Sequence, residues 1–361
     1  MNERELRRLR LASQRIGAAR FSDGAHGPTD VVRWMTAMQS QDYPNATWAI
    51  GSRLAGASAA DVEAALNDGS IVRSWPLRGT LHFVAANDLN WMLALSAPRM
   101  VKRAATTLAS NGLTPAVLER AASGARTAMQ GGRTLRREAL YSLMVECGVA
   151  ADGQARYHAA WYLCQTGVLC LAEHSGKAQT FALLDEWVPQ PRRLERDEAL
   201  GELAVRYFRG RGPATVRDFA WWAALTLSDA RRGLDVALPS LERLTHDGVE
   251  YFLAPGLSAG RHSGVQLLPG FDEHLLGYQE RSLVLPPDRA ERVVPGRNGM
   301  FLSTLVVDGC VAGTWRRQVN GDSLTVTFEP FEALTAAQLR SARTAAAEYA
   351  RHRGLTLRKA A

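Results

Sequence analysis

Three times along this chain, two helix-like stretches joined by a short turn run into an extended ribbon of alternating apolar residues. No other feature restricts the fold as much. In the first copy Val31, Trp34, Met35 and Met38 recur at i, i+3, i+4 and i+7 after a Thr29/Asp30 start signal, and "ASAADVEAALNDG" supplies the second helix. The ribbon "RSWPLRGTLHFVA" reads as a strand with Trp75, Leu77, Leu81 and Phe83 on one face and Arg78, Thr80 and His82 on the other. In the second copy "TLRREALYSLMVECG" and "YHAAWYLCQTG" precede "VLCLAEHSGKAQTFALL", a hairpin turning through 173–177. In the third, "GPATVRDFAWWAALTLSDARRGLDVAL" opens on a Thr215/Asp218 capping pattern, starts a second helix near Ser228/Asp229 and leads to "VEYFLA"; Trp221 and Trp222 read as core. Helix, turn, helix, ribbon is the winged-helix pattern. The copies do not align as repeats, so the count of three rests on pattern.

After residue 256 the texture changes to short strands between glycines and prolines: "GVQLLPG", "RSLVLP", "MFLSTLVVDG", "CVAGTWRRQVNG" and "SLTVTFEP". These predict a small β-barrel or curled sheet, closed by a helix over "TAAQLRSARTAAAEYARHRG". The expected class is α+β: winged helices over 1–112, 113–188 and 189–256, the last two joined through the proline-rich "EWVPQPRRLERDE", then a barrel-like β-rich domain over 257–361. A chain of 361 residues suits several such modules.

Cys147, Cys164, Cys170 and Cys310 form no CxxC pair and no zinc-finger spacing with histidine, which predicts reduced, mostly buried thiols in a cytoplasmic protein, with no metal and no cofactor. The N-terminal "MNERELRRLRLASQRIGAARF" is basic and amphipathic without an apolar core, and nowhere do 18 apolar residues run together, so neither secretion nor membrane spanning is expected. The formal charge of +7 permits attraction to a polyanion. Of 43 basic residues only Lys102, Lys177 and Lys359 are lysine, a bias that base composition of the genome explains as well as phosphate binding does.

In "TAMQSQDYPNA", Gln39 and Gln41 flank one serine. Residues two apart diverge on a helix and share a side in an extended segment, so if the amides converge the preceding helix ends near Ser40; Pro44, by disfavouring helical geometry at Tyr43, agrees. An amide has no accessible pKa and cannot be a general base, but its carbonyl can hold water or face a developing cation. That suits a reaction with an already activated leaving group, as in an N-alkylated, cationic purine. The plain alternative is a pair of surface amides ending a helix.

The helix into "MQSQD", the "RSWPLRGTLHFV" strand, "GPATVRDFAWWAAL", "LLPGFDEHLLGYQER" and "VVDGCVAGTWRR", in this order, resemble the AlkZ/YcaQ-like winged-helix DNA glycosylases from about residue 5 to 355. The resemblance implies three tandem winged helices forming a C-shaped basic surface for double-stranded DNA, and excision of alkylated purines in base excision repair, including bulky or crosslinked guanine adducts made by genotoxic natural products, sometimes as producer self-resistance. Its catalytic glutamine, any residue, glutamine motif falls on Gln39 and Gln41, with polar Ser40 where the family often carries an aliphatic residue.

Further DNA contacts are expected at Arg78 and His82 on the first ribbon, Arg231 (with Arg232) on the third recognition helix, Arg297 and Asn298 in "PGRNG", and Trp315, Arg316 and Arg317 in "GTWRRQ". For His82 a structural hydrogen bond, and for Trp315 burial, are the ordinary alternatives. Asp272, Glu273 and His274 cannot all face one ion and read as a structural network between the third unit and the β domain. The expected protein is a monomeric, nucleoid-associated enzyme. A non-catalytic winged-helix regulator or lesion sensor is the rival, though no heptad supports a dimer; a glycosylase for small N-methylpurines is another.

Overall fold

The structure, a computed structural model, describes every residue except Asp23, Gly176, Lys177 and 261–263, and all side chains in helices and strands except those of Ser175 and Arg297. It divides into two compact bodies, Glu63–Ala199 and Met1–Val62 with Leu200–Ala361. No helix among the described residues is long and apolar enough to cross a membrane.

In the Glu63–Ala199 body, the first ribbon is not one strand. Ile71–Leu77 and Thr80–Ala85 pair antiparallel, with Ser74 opposite His82 and Leu77 opposite Thr80. The turn is Arg78-Gly79, both at positive φ (53° and 70°), the backbone a two-residue hairpin requires. Glycine adopts it freely and arginine bears strain. The expected polar face therefore dissolves: His82 is fully buried, like Ser74 opposite it. The helices Leu89–Ser110, Pro115–Met129, Arg137–Glu146 and Gly153–Gln165 follow, then the hairpin Leu169–Ser175/Ala178–Leu183. Arg73 pairs with Leu171, joining both hairpins in one sheet. The turn expected over 173–177 falls between these strands, with Gly176 and Lys177 outside the described residues. Cys164 and Cys170 are buried here, and burial raises both thiol pKa values; Cys147 and Cys310 are half-buried, and all four are free.

The other body opens with the helix Glu3–Ser13, started by a reciprocal Asn2/Glu5 capping box. Helices Arg196–Arg211, Val216–Ala223 and Leu227–Ala237 lead to the hairpin Glu242–His246/Val249–Leu253; Thr215 and Asp218 cap each other as expected, and Thr226 caps the last helix. The C-terminal sheet runs, edge to edge, Thr356–Ala360, Ser323–Pro330, Cys310–Asn320, Thr304–Val307 and Val265–Leu268; only the Thr356–Ala360 strand is parallel to its neighbour. It is an open sheet, bent by a bulge between Val311 and Gly313, and not a closed barrel. "RSLVLP" forms no strand: Val284 and Leu285 fill the core beneath an irregular segment. The closing helix Ala336–His352 buries Ala342, Ala346 and Tyr349 against Trp315, Leu324 and Val326.

Candidate active site

The segment holding the two glutamines lies between two helices whose ends differ from expectation. Pro28–Met35 stops three residues before Met38, because Thr36 takes φ 66° and turns the chain into the strand Ala37–Gln39. A β-branched residue in that region is costly and persists only when its surroundings dictate it. On the other side Pro44 does not exclude Tyr43 from helix. Asp42 caps Tyr43–Gly51, and Pro44 sits in the first turn, where no amide hydrogen is required. Along the extended stretch Ser40 is fully buried, Gln39 half-buried and Gln41 exposed, so the two amides turn outward around an inward serine.

What dictates this backbone is a buried ion pair. Arg211, at the end of its helix, donates Nη1–H to Met35 O (2.8 Å) and Nη2–H to Ala37 O (2.9 Å), bridging the Thr36 turn. Its Nε–H and Nη2–H also bind Glu273 Oε2 at 2.9 and 2.6 Å, which accepts the Trp222 indole N–H as well (2.9 Å). Glu273 Oε1 in turn accepts the Gln39 amide N–H at 3.4 Å. Arg211 and Glu273 thus grip three consecutive odd-numbered residues, 35, 37 and 39, through their backbones. The guanidinium carbon lies 4.2 Å from the centre of the Trp222 ring, and both charged side chains are at most 2% exposed. A charge so buried is tolerable because each of the three guanidinium nitrogens has an acceptor.

Of the three residues read as a network between the third unit and the β domain, Glu273 makes that link through Arg211 and Trp222, whereas Asp272 and His274 are structural with other partners. Asp272 receives Arg53 through two 2.8 Å bonds and caps the short helix Glu273–Leu276 through the His274 N–H. His274 donates Nε2–H to Gly309 O (3.0 Å), and burial drives its pKa down to about 4, leaving it neutral. Three neighbouring side chains serve three different partners.

Of the other candidates, Arg317 reaches the segment: its Nη1–H binds Asn45 Oδ1, and Nη2 lies 3.8 Å from Asp42 Oδ1. Arg316 points to solvent, paired with Glu329. Trp315 is corrected: it is 2% exposed, donates its indole N–H to Leu268 O (2.9 Å) and packs edge-on against Tyr349, so it is a core residue and not a groove-probing one. Strand alternation puts it inward where Arg316 points out. Arg231 is exposed on Leu227–Ala237, and Asn298 is exposed, accepting the Met300 N–H within its own loop. The Arg297 side chain lies outside the described residues. In the Glu63–Ala199 body His82 donates Nδ1–H to Thr80 O (2.7 Å) and presents Nε2 to Arg78 Nη2 (3.3 Å). Being buried, it is a structural hydrogen-bonder as it stands, not a surface contact. Arg211 and Trp222 gave no site signal in sequence; the only hint was charge set in apolar runs, as in "FDEHLLG".

A model of the DNA glycosylase AlkZ-like family matches residues 32–352. An interstrand DNA cross-link repair glycosylase of Streptomyces sahachiroi is 26% identical over 348 residues, covering 91% of each chain. The solved structure of Streptomyces sahachiroi DNA glycosylase AlkZ shares the fold over the full length of both chains, with a TM-score of 0.81 at 24% identity. The matched span takes in the gripped segment, its ion pair and most of the C-terminal sheet, and the chain belongs to the AlkZ-like family of DNA glycosylases, enzymes that act on the N-glycosyl bonds of DNA.

Proposed function

We propose that this glycosylase hydrolyses cationic N-alkylpurines from double-stranded DNA, bulky N7-guanine adducts or the interstrand crosslinks handled by its Streptomyces relative, with Gln39 and Gln41 as the catalytic pair. The observation that carries this reading is that, among the described residues, the carboxylates beside them are already engaged. Asp42 is spent on the Asn45 N–H and side chain and neighbours Arg317; Glu273 is spent on Arg211, Trp222 and the Gln39 N–H. Amides are what remains, and amides suffice when the base leaves as a neutral molecule. The C1′–N bond breaks with its electron pair going to the cationic base; water, held by the amide carbonyls, adds its oxygen to the oxocarbenium carbon and releases a proton to solvent. None of the three lysines falls within residues 28–51, which argues for simple hydrolysis to an abasic site without a Schiff base.

Three winged helices over 1–112, 113–188 and 189–256, each containing a hairpin, with 257–361 as the β-rich domain, would present DNA to this segment, Arg231, Arg316 and Arg317 adding positive charge. The test is a labelled duplex carrying one N7-methylguanine and another carrying a bulky N7-guanine adduct, each scored for abasic sites. We expect excision of the bulky lesion, reduced at least a hundredfold in Gln39→Ala and Gln41→Ala. Wild-type protein that binds both duplexes and excises neither defeats the assignment; preference for the methyl lesion moves it to small adducts.

A further inference from the structure

We propose that the cavity lined by Arg15, Trp34 and Arg209 is a phosphate site that seats one DNA backbone phosphate behind the gripped segment; this rests on the DNA glycosylase reading above. The cavity, about 520 Å³, is also lined by Arg20, Phe21, Arg33 and one carboxylate, Asp30, which accepts the Gly27 N–H and lies beside Arg33. Trp34 is pinned by its indole N–H to Ser13 O (2.6 Å), and the guanidinium carbons of Arg15 and Arg209 lie 4.1 and 4.9 Å from its ring centre. The ring is thus already engaged, and the cavity offers charge instead of a stacking face for a base.

The arginines nearby have partners. Arg20 pairs with Glu348 (2.8 Å), Arg206 with Glu202 (2.7 Å) and Arg33 with Asp30 (3.7 Å). Among the described residues neither Arg15 nor Arg209 has a carboxylate within ion-pair distance, and the Nε–H of each is buried with no acceptor. Burial lowers the pKa of both; Arg206 and Arg15 push Arg209 down further by repulsion, and Glu202 offsets part of this. Arg15 is also held at φ 57°. Two half-buried, mutually repelling guanidiniums that open on one cavity are an arrangement an incoming anion relieves, and guanidinium forks match phosphate oxygens.

The site is tied to the active segment through the chain. Trp34 precedes Met35, whose carbonyl Arg211 holds, and Arg209 lies two residues before Arg211. At Gly210, between the two arginines, a Cβ would come within 2.9 Å of the Trp34 carbonyl oxygen, so only glycine lets the two helices approach this closely. A phosphate on Arg15 and Arg209 is therefore referenced to the same backbone that carries Gln39.

The full-length protein tests this without excision. Binding to an undamaged labelled duplex is followed across salt concentrations for wild type, Arg15→Gln/Arg209→Gln and, as a charge control, Arg340→Gln, an exposed change on the closing helix. We expect the double variant to bind roughly tenfold more weakly at low salt, and the slope of log affinity against log salt to shrink by about one charge, with Arg340→Gln at wild-type values. Equal slopes for wild type and double variant overturn the proposal. A second arm measures the melting temperature with inorganic phosphate. If phosphate stabilises wild type and not the double variant while the DNA slopes stay equal, the cavity is a free-anion site, which also overturns it. Because undamaged DNA is used, the outcome is independent of whether Gln39 and Gln41 catalyse.

Discussion

Arg209 and Arg211 end the same helix, two residues apart, and face opposite electrostatic fates. Arg211 is fully buried, and its guanidinium bonds Glu273, Met35 O and Ala37 O. Arg209 is half-buried, lies with Arg15 against the Trp34 ring in one cavity and has no ion-pair partner among the described residues. Removing a guanidinium from water is costly in either place. At Arg211 the protein supplies the counterion itself, because what the arginine holds is the protein's own backbone. At Arg209 the counterion is left to come from outside. An internally matched arginine is thus a structural device, and an unmatched one in a cavity marks a ligand.

The contrast is tested most strongly by deleting the matched charge. Arg211→Ala leaves Glu273 buried without its counterion and releases two carbonyls, and should cost about 3–5 kcal/mol in denaturant unfolding. Arg211→Met with Glu273→Leu should recover most of that loss, since neither charge is then stranded. If the single variant unfolds like wild type, the pair is not what organises this region.

Next in size is a pH effect from the same network. His274 has its pKa lowered to about 4 by burial, opposed by Asp272 and reinforced by Arg10 and Arg53. Unfolded, it takes a proton near pH 6.5; folded, only near 4. The unfolded state therefore binds more protons between these values. The contribution is fully present above pH 6.5 and is lost as pH falls toward 4, by roughly 3 kcal/mol in all. Unfolding free energy measured across this window should lose that slope in His274→Gln.

A smaller, more specific effect concerns the reaction. Glu273→Gln keeps the side chain's shape but presents an amide N–H where an acceptor faces Arg211 or the Gln39 N–H. Displacement of the Gln39 backbone should slow excision about ten- to hundredfold at unchanged DNA affinity. Asp272→Asn, which weakens the Arg53 pair without touching residues 35–39, controls for lost stability: an equal rate loss there reduces Glu273 to general scaffolding.

The order of helices and hairpins was legible because apolar periodicity is a local property. "GPATVRDFAWW" carries both its capping box and its buried face within a few residues. Boundaries failed where distant groups decide them. Thr36 ends its helix because Arg211, 175 positions away, takes the carbonyls of Met35 and Ala37, and nothing in "RWMTAMQ" announces that. Pro44 was misread because proline both breaks helices and opens them, and only Asp42 in capping position tells which. The Arg78-Gly79 turn was hidden by an arginine at positive φ, and the Thr356–Ala360 strand by a charged "TLRKA" that forms an edge. Trp315 and Arg316 read as a recognition pair until alternation separated them. In the site, Gln39 and Gln41 were visible as a motif. Glu273 was legible as a structural residue but not as a partner of the Gln39 backbone, and Arg211 was not legible at all, since a buried charge and a surface charge are the same letter.

Arg209 supplies the smallest effect and the sharpest contrast with Arg211. Arg209→Gln removes a favourable contact with the Trp34 ring, worth about 0.5–1 kcal/mol at a half-exposed site, and also removes a net repulsion of similar size, that from Arg206 and Arg15 less the attraction to Glu202. The terms oppose, so unfolding free energy should stay within about 0.5 kcal/mol of wild type, against the several lost at Arg211 two residues on. Raising the salt concentration should make the variant relatively less stable, because screening weakens the repulsion it relieves while leaving the ring contact's loss in place. A loss at Arg209 as large as that at Arg211 means that both arginines are matched from within, and the cavity in front of Trp34 then has no need of an anion.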